Sequence, residues 1–327
     1  LARNPNHPFP YSNLAHALRS LGRLDEAREV AERAAARNIE TLPTRRLLFQ
    51  IAVQEGRDEE AQRHLDVARG RAREFDMLGA EAQVAVFTGE FGRGFALYRQ
   101  AESMARAAGL DEIGDGYAAQ LGLVHALLGD HEQALTLARP HLASRNVSVR
   151  MTAALACGLA RAPAPVLREA QRAVDEAAAA HHTDTLTTAV SIGLARAALA
   201  LAAGRPADAI AALEPGRPYE MGRMAMMLPV YLRGLAELAS GNPAAATAEF
   251  RQVLDHRGVD PFSLAVALSP LGLARASAGQ PAEARTHYAA FLEHWASADG
   301  VVPVVSAARA EAVGLGAPDA DGGGGSR

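Results

Sequence analysis

Few places in this chain of 327 residues set chemically competent side chains close together, and the densest is His181, His182 and Asp184. Imidazoles beside a carboxylate suit a metal. Adjacent histidines on a helix point in different directions, however, and these stand at a boundary between two helical stretches, where Thr183 or Asp184 serves as an N-cap. The run GEFGRG (89–94) has the glycine spacing of a phosphate-cradling loop, but no strand precedes it and Gly89 falls at a turn between helices. Cys157, the single cysteine, has no intrachain partner and lies within the helical run MTAALACGLA, where it reads as a small buried hydrophobe. No serine occupies a G-x-S-x-G elbow, and no carboxylate pair has surroundings that would separate two pKa values. All 33 basic residues are arginine, so the lysines of phosphate-binding loops, kinase strands and Schiff bases are excluded. The chain is therefore expected to hold no catalytic residue, metal or cofactor.

Composition narrows the remaining classes. With 33 basic and 37 acidic residues the net charge is −4, which offers no footprint for nucleic acid or anionic lipid. No apolar run approaches the roughly 18 residues of a spanning helix, so this stretch of chain is not expected to insert in a membrane. The chain opens at Leu1 without a methionine or leader and reads as a piece of something longer. The expected location is cytoplasmic, or tethered through an upstream segment. Hydrophobic residues make up 49% and aromatics 5%. Alanine supplies about a fifth of the chain, which favours closely packed helices throughout.

The elements that would position any site are clearest in LPVYLRGLAELASGNPAAATAEFRQVLDHRG (228–258). Two amphipathic helices flank a turn at Gly241, Asn242 and Pro243, Gly234 permits close helix approach, and Ala246 and Phe250 lie one turn apart. The same grammar recurs along the chain. Turn glycines stand at 22, 56, 89 and 129, then at 204, 241 and 279, giving intervals of 34, 33, 40, 75, 37 and 38. The interval of 40 implies an insertion near AGLDEIGDG, and the interval of 75 implies a degenerate unit with Arg161, Ala162 and Pro163 at its turn. Such a pair cannot bury both its apolar faces alone, so successive pairs stack, with Phe91, Tyr98, Phe250 and Tyr288 filling the gaps. The expected fold is all-α, a right-handed α-solenoid of helix-turn-helix repeats whose units touch only their neighbours. Its organisation reads as a lead-in over residues 1–10, about eight helix pairs with a capping helix over 11–315, and a Gly-rich flexible tail over 316–327.

These units resemble tetratricopeptide repeats. The stretches 184–222, 228–258 and 271–299 further resemble the repeat tail attached to many bacterial serine/threonine protein kinases, and related tails follow winged-helix regulators. The Asn13-Leu14-Ala15 start and the run from Leu47 to Gly56 share the likeness. It implies a non-catalytic module of such a protein. Position 237 departs from the pattern, because a large residue is favoured there and this chain has Glu237, with Arg233 one turn before it. These two either pair at i and i+4 or present charge to the groove.

The fifth, ninth and twelfth places of each first helix are expected to line the concave groove: Ser12, His16 and Arg19, then Arg46, Gln50 and Val53, and later Tyr231, Leu235 and Leu238. The N-terminal part is basic and suits a carboxylate through Arg19 and Arg46, whereas the C-terminal part offers apolar surface around Tyr231. Met221, Met224, Met226 and Met227 either fill gaps between units or form an adaptable contact surface. The expected partner is a protein or peptide, an acidic segment leading into a hydrophobic one. A small-ligand sensor is the alternative, and a closed pocket rather than a continuous trough would favour it. RNA is disfavoured by the acidic balance and the uneven spacing.

Overall fold

The computed structural model describes residues 6–222, 225–300 and 302–315. Eight helix pairs follow one another: α1 (Pro8–Ser20) with α2 (Leu24–Ala36), α3 (Leu42–Gln54) with α4 (Asp58–Ala68), α5 (Glu74–Thr88) with α6 (Phe91–Ala107), and α7 (Asp111–Leu127) with α8 (His131–Ala138). The series continues with α9 (Val147–Leu159) and α10 (Ala164–Ala180), α11 (Gly193–Ala202) and α12 (Pro206–Leu213), α13 (Leu228–Ala239) and α14 (Pro243–Asp255), and α15 (Leu264–Ala276) and α16 (Pro281–His294). A last helix, α17 (Pro303–Gly314), follows. No strand occurs among the described residues. The chain is an α-solenoid in which each helix packs on the next.

Local sequence accounts for the helix boundaries. The turn after α5 needs a left-handed residue, and Gly89 supplies it at φ +90°. In the fifth unit no glycine stands at the turn and Arg161 takes the left-handed conformation at φ +49°, with Pro163 immediately before α10. The extra residues near AGLDEIGDG lengthen helices, since α6 and α7 are 17 residues each. The supposed lead-in is shorter than the sequence implies. Residues 1–5 lie outside the described residues, but Pro8, Phe9 and Pro10 form the first turn of α1, where a missing backbone N–H costs nothing. The Gly-rich run over 316–327 also lies outside them.

The expectation that units touch only their neighbours is overturned. The superhelix curls until units far apart in the chain meet. Trp295 Nε1 donates to the Phe87 carbonyl at 2.8 Å, and the indole packs edge-on against Phe91 at 5.3 Å. The Gly92 N–H donates to the Asp299 carboxylate at 3.1 Å, so the start of α6 is capped from a distant unit. Val304 N donates to the Leu128 carbonyl at 3.0 Å. Nearer the N-terminus, Arg19 Nη2 donates to the Val259 carbonyl at 3.2 Å. A small rotation per unit, summed over the array, brings the turn of unit three against the eighth unit, the turn of unit four against α17, and the end of α1 against the loop between α14 and α15.

Candidate functional site

The inner helices α1, α3, α5, α7 and α9 line a cavity of about 840 Å³. Polar groups on its wall come from Arg19, Arg46, Gln50, Gln83, Tyr98 and Tyr117, and apolar surface from Met77, Ile113, Val149 and Met226. Asp260, between α14 and α15, closes one side. A second cavity of about 710 Å³ lies beyond, lined by Arg257, Gly258, Pro261 and Phe262 together with α15 and α16 residues. Residues 257–262 thus divide the lumen.

The electrostatics of the first cavity are nearly balanced, and the exception is informative. Arg73 pairs with Asp76 at 2.8 Å. Arg19 is buried and donates to Gln50 Oε1 at 2.5 Å. Gln83 Nε2 donates to the Asp260 carboxylate at 3.2 Å. Burial pushes the Asp260 carboxyl above its ordinary range, against the opposing charges of Arg19 and Arg46 and the Gln83 hydrogen bond. Arg46 stands apart: its Nε is buried, and its guanidinium makes no hydrogen bond or ion pair among the described residues. A cation held this way in a cavity is suited to an incoming carboxylate. Tyr98 is buried on the same wall, and its phenol is pushed well above its usual value by burial, with the Asp260 charge adding to it.

Of the nine groove positions read from the sequence, Arg19, Arg46 and Gln50 meet at this cavity. Ser12 is buried, His16 is half-buried, and Val53 is half-buried against the cluster around Phe49 and Phe262. The C-terminal trio is corrected. Tyr231 is buried, with its ring 5.8 Å from that of Phe250 and its phenol pushed up to about 12 by burial, so it belongs to the core. Leu235 and Leu238 are half-buried and pack on the same core. The reason is that α13 lies between α11 and α15 and faces the stack of units, not open lumen. The i, i+4 pairing of Arg233 with Glu237 is likewise replaced. Arg233 is fully buried and makes a two-pronged contact with Glu249 at 2.7 and 2.8 Å and one with Glu220 at 2.9 Å. Glu237 instead accepts from Asn242 at 2.9 Å.

Other sequence candidates find ordinary places. Asp184 accepts from Thr187 N at 3.1 Å and Thr187 Oγ1 at 2.8 Å, which is capping. No group of three metal-ligating side chains is gathered among the described residues. Cys157 is buried and its thiol is pushed up to about 12 by burial. Met227 is buried, Met221 is half-buried against the core and Met226 lines the cavity, while Met224 lies outside the described residues. The sequence reading missed Gln83, Tyr117 and Asp260. Tyr98 packs in the core, as its spacing implies, and also lines the cavity, whereas Asp260 sits in a loop whose entry into the lumen has no local signal.

The family model of the tetratricopeptide repeat matches residues 8–33, 116–140 and 191–215. The chain carries tetratricopeptide repeats. The three matches fall on the first, fourth and sixth helix pairs, and repeats of this kind are those of protein-interaction scaffolds. No curated protein matches the chain. No helix among the described residues is long and apolar enough to cross a membrane.

Proposed function

We propose that this chain is a non-catalytic interaction module that receives a short acidic segment of a protein partner in the cavity between α1, α3, α5 and α7, with the partner's carboxylate on Arg46. The unpartnered guanidinium is the observation that carries this reading, because a buried donor without an acceptor is a deficit that binding would relieve. In the intact protein the module is the regulatory region of a bacterial serine/threonine protein kinase, by the resemblance of 184–222, 228–258 and 271–299 to such tails, and it works in the cytoplasm. No nucleic acid is involved.

A second reading, a small-ligand sensor attached to a transcriptional regulator, is supported by the division of the lumen. Cavities of about 840 and 710 Å³ fall within the range of small-molecule pockets. The test is fluorescence anisotropy of a labelled acidic peptide with the wild type, Arg46→Ala and Arg46→Glu, folding being checked by circular dichroism. Loss of about 1–3 kcal/mol in either folded variant supports the peptide reading, and unchanged affinity in both places recognition elsewhere. An Arg46-dependent rise in thermal midpoint with hexanoate, without peptide binding, selects the small-ligand reading.

A further inference from the structure

The loop between α14 and α15 occupies the lumen in a way that resembles a bound peptide. Gly258 approaches α1 so closely that a Cβ there would lie 3.0 Å from the Arg19 carbonyl oxygen and 3.1 Å from that of Ser20. The next residue, Val259, receives the Arg19 guanidinium on its carbonyl. Asp260 places its carboxylate on Gln83, in the field of Arg19 and Arg46. Two residues on, the Phe262 ring meets Phe87 edge-on at 5.5 Å, in a cluster with Phe49, Met77 and Val84. A carboxylate at the basic end and an aromatic ring in the apolar end are what the lumen is built to hold.

Three observations set this loop apart from ordinary core. It stands between two cavities, so it has space on either side into which to move. Its carboxylate is buried with no arginine within ion-pair distance among the described residues, so the burial is only partly compensated. The neighbouring Met226 and Met227 hold φ values of +48° and +60°, which methionine rarely adopts, and the Ser263 hydroxyl donates to the Met226 carbonyl at 2.8 Å.

We propose that residues 259–262 are a displaceable occupant of the recognition site, and that the protein segment which replaces them carries the same pattern, a carboxylate followed two residues later by an aromatic ring. This rests on the reading that the lumen is where a partner is recognised. The site is thus filled from within, and a partner competes with the chain's own loop.

The probe is a labelled peptide of residues 256–264, HRGVDPFSL, titrated into the full chain. Gly258→Val drives the loop off α1 by contact with backbone oxygens that cannot yield cheaply, and it leaves Arg46, Gln83 and the receiving side chains Phe49, Met77, Val84 and Phe87 in place. The variant is expected to bind the peptide at least tenfold more tightly than the wild type, and replacing the peptide's aspartate or phenylalanine by alanine is expected to weaken binding at least tenfold. A folded Gly258→Val that binds no better than the wild type overturns the proposal. Should that variant fail to fold, amide hydrogen exchange on the wild type decides: residues 257–263 must exchange at least tenfold faster than the centres of α3 and α5, and equal protection overturns the idea. If an acidic peptide binds through Arg46 while exchange at 257–263 is unchanged, displacement is refuted and recognition at Arg46 stands. If no form binds either peptide, both readings fall.

Discussion

Phe250 is gripped between two glycines, and the grip can be measured. A Cβ built at Gly234 lies 2.7, 2.8 and 3.0 Å from three atoms of the Phe250 ring, and one built at Gly272 lies 2.6, 2.7 and 2.8 Å from three of them. Carbon atoms in contact prefer about 3.5–4.0 Å, so a methyl group at either site is about 1 Å too close. The ring is fully buried, and the same edge, Cδ1, Cε1 and Cζ, meets both glycines, so neither helix leaves it room. In Gly234→Ala two effects oppose each other. Replacing a mid-helix glycine gains about 1 kcal/mol of helix propensity, whereas overpacking a rigid core costs about 1–3 kcal/mol. Since the ring is fully buried, the second is expected to win, with a net loss of up to about 2 kcal/mol. Phe250→Leu removes the ring edge, so Gly234→Ala in that background is expected to be neutral or stabilising, a coupling of about 1–3 kcal/mol. Urea unfolding followed by circular dichroism and by fluorescence of Trp295, the only tryptophan, measures all four corners of the cycle. If Gly234→Ala is as stable as the wild type, or costs the same with leucine at 250, the socket argument is wrong.

Arg233→Met leaves the buried Glu220 carboxylate without its cation and Glu249 with only Arg217 at 4.0 Å, and is expected to cost about 3–5 kcal/mol by denaturant unfolding, with partial recovery on adding Glu249→Gln. Truncation after residue 258 strips Phe262 and Trp295 from Phe87 and Phe91, so the remaining units should unfold at a distinctly lower temperature than in the full chain. An unchanged midpoint would mean that the closure adds nothing. Burial holds the His125 and His294 imidazoles below their ordinary pKa, so the unfolded chain takes protons more readily than the folded one. Stability from these groups is full above the unfolded value of about 6.5 and falls as pH drops through it toward the folded values. The thermal midpoint should therefore be lower at pH 5.5 than at 7.5, and His294→Gln should lessen the difference. The raised Asp260 carboxyl acts with the opposite sign, because protonation favours the folded state, so the histidine contribution is read from the variant and not from the wild-type curve alone.

The helices, their turns and the order of the units are written locally. The stripe of Ala27, Ala31 and Ala34 is buried as its spacing implies, Gly234 is small because Phe250 comes within contact of it, and Arg161 takes the turn in the unit that has no glycine there. Each of these depends on residues within one unit or the next, and spacing along the chain specifies that much. The lumen is another matter. Arg19 and Arg46 could be placed on a basic inner face from their repeat positions, but nothing near Asp260 announces that its loop enters the superhelix beside them. Tyr231 holds an equivalent repeat position and is core, because the packing of α13 between its neighbours, not its register, decides what it faces. Likewise the partners of Arg233 lie 13 and 16 residues away, on segments that only stacking brings alongside. The sequence by itself determined the repeating helix pairs, because period and turn chemistry are short-range. Only the tertiary structure decided which units meet across the superhelix and what fills its centre, because these follow from small rotations accumulated over all the units.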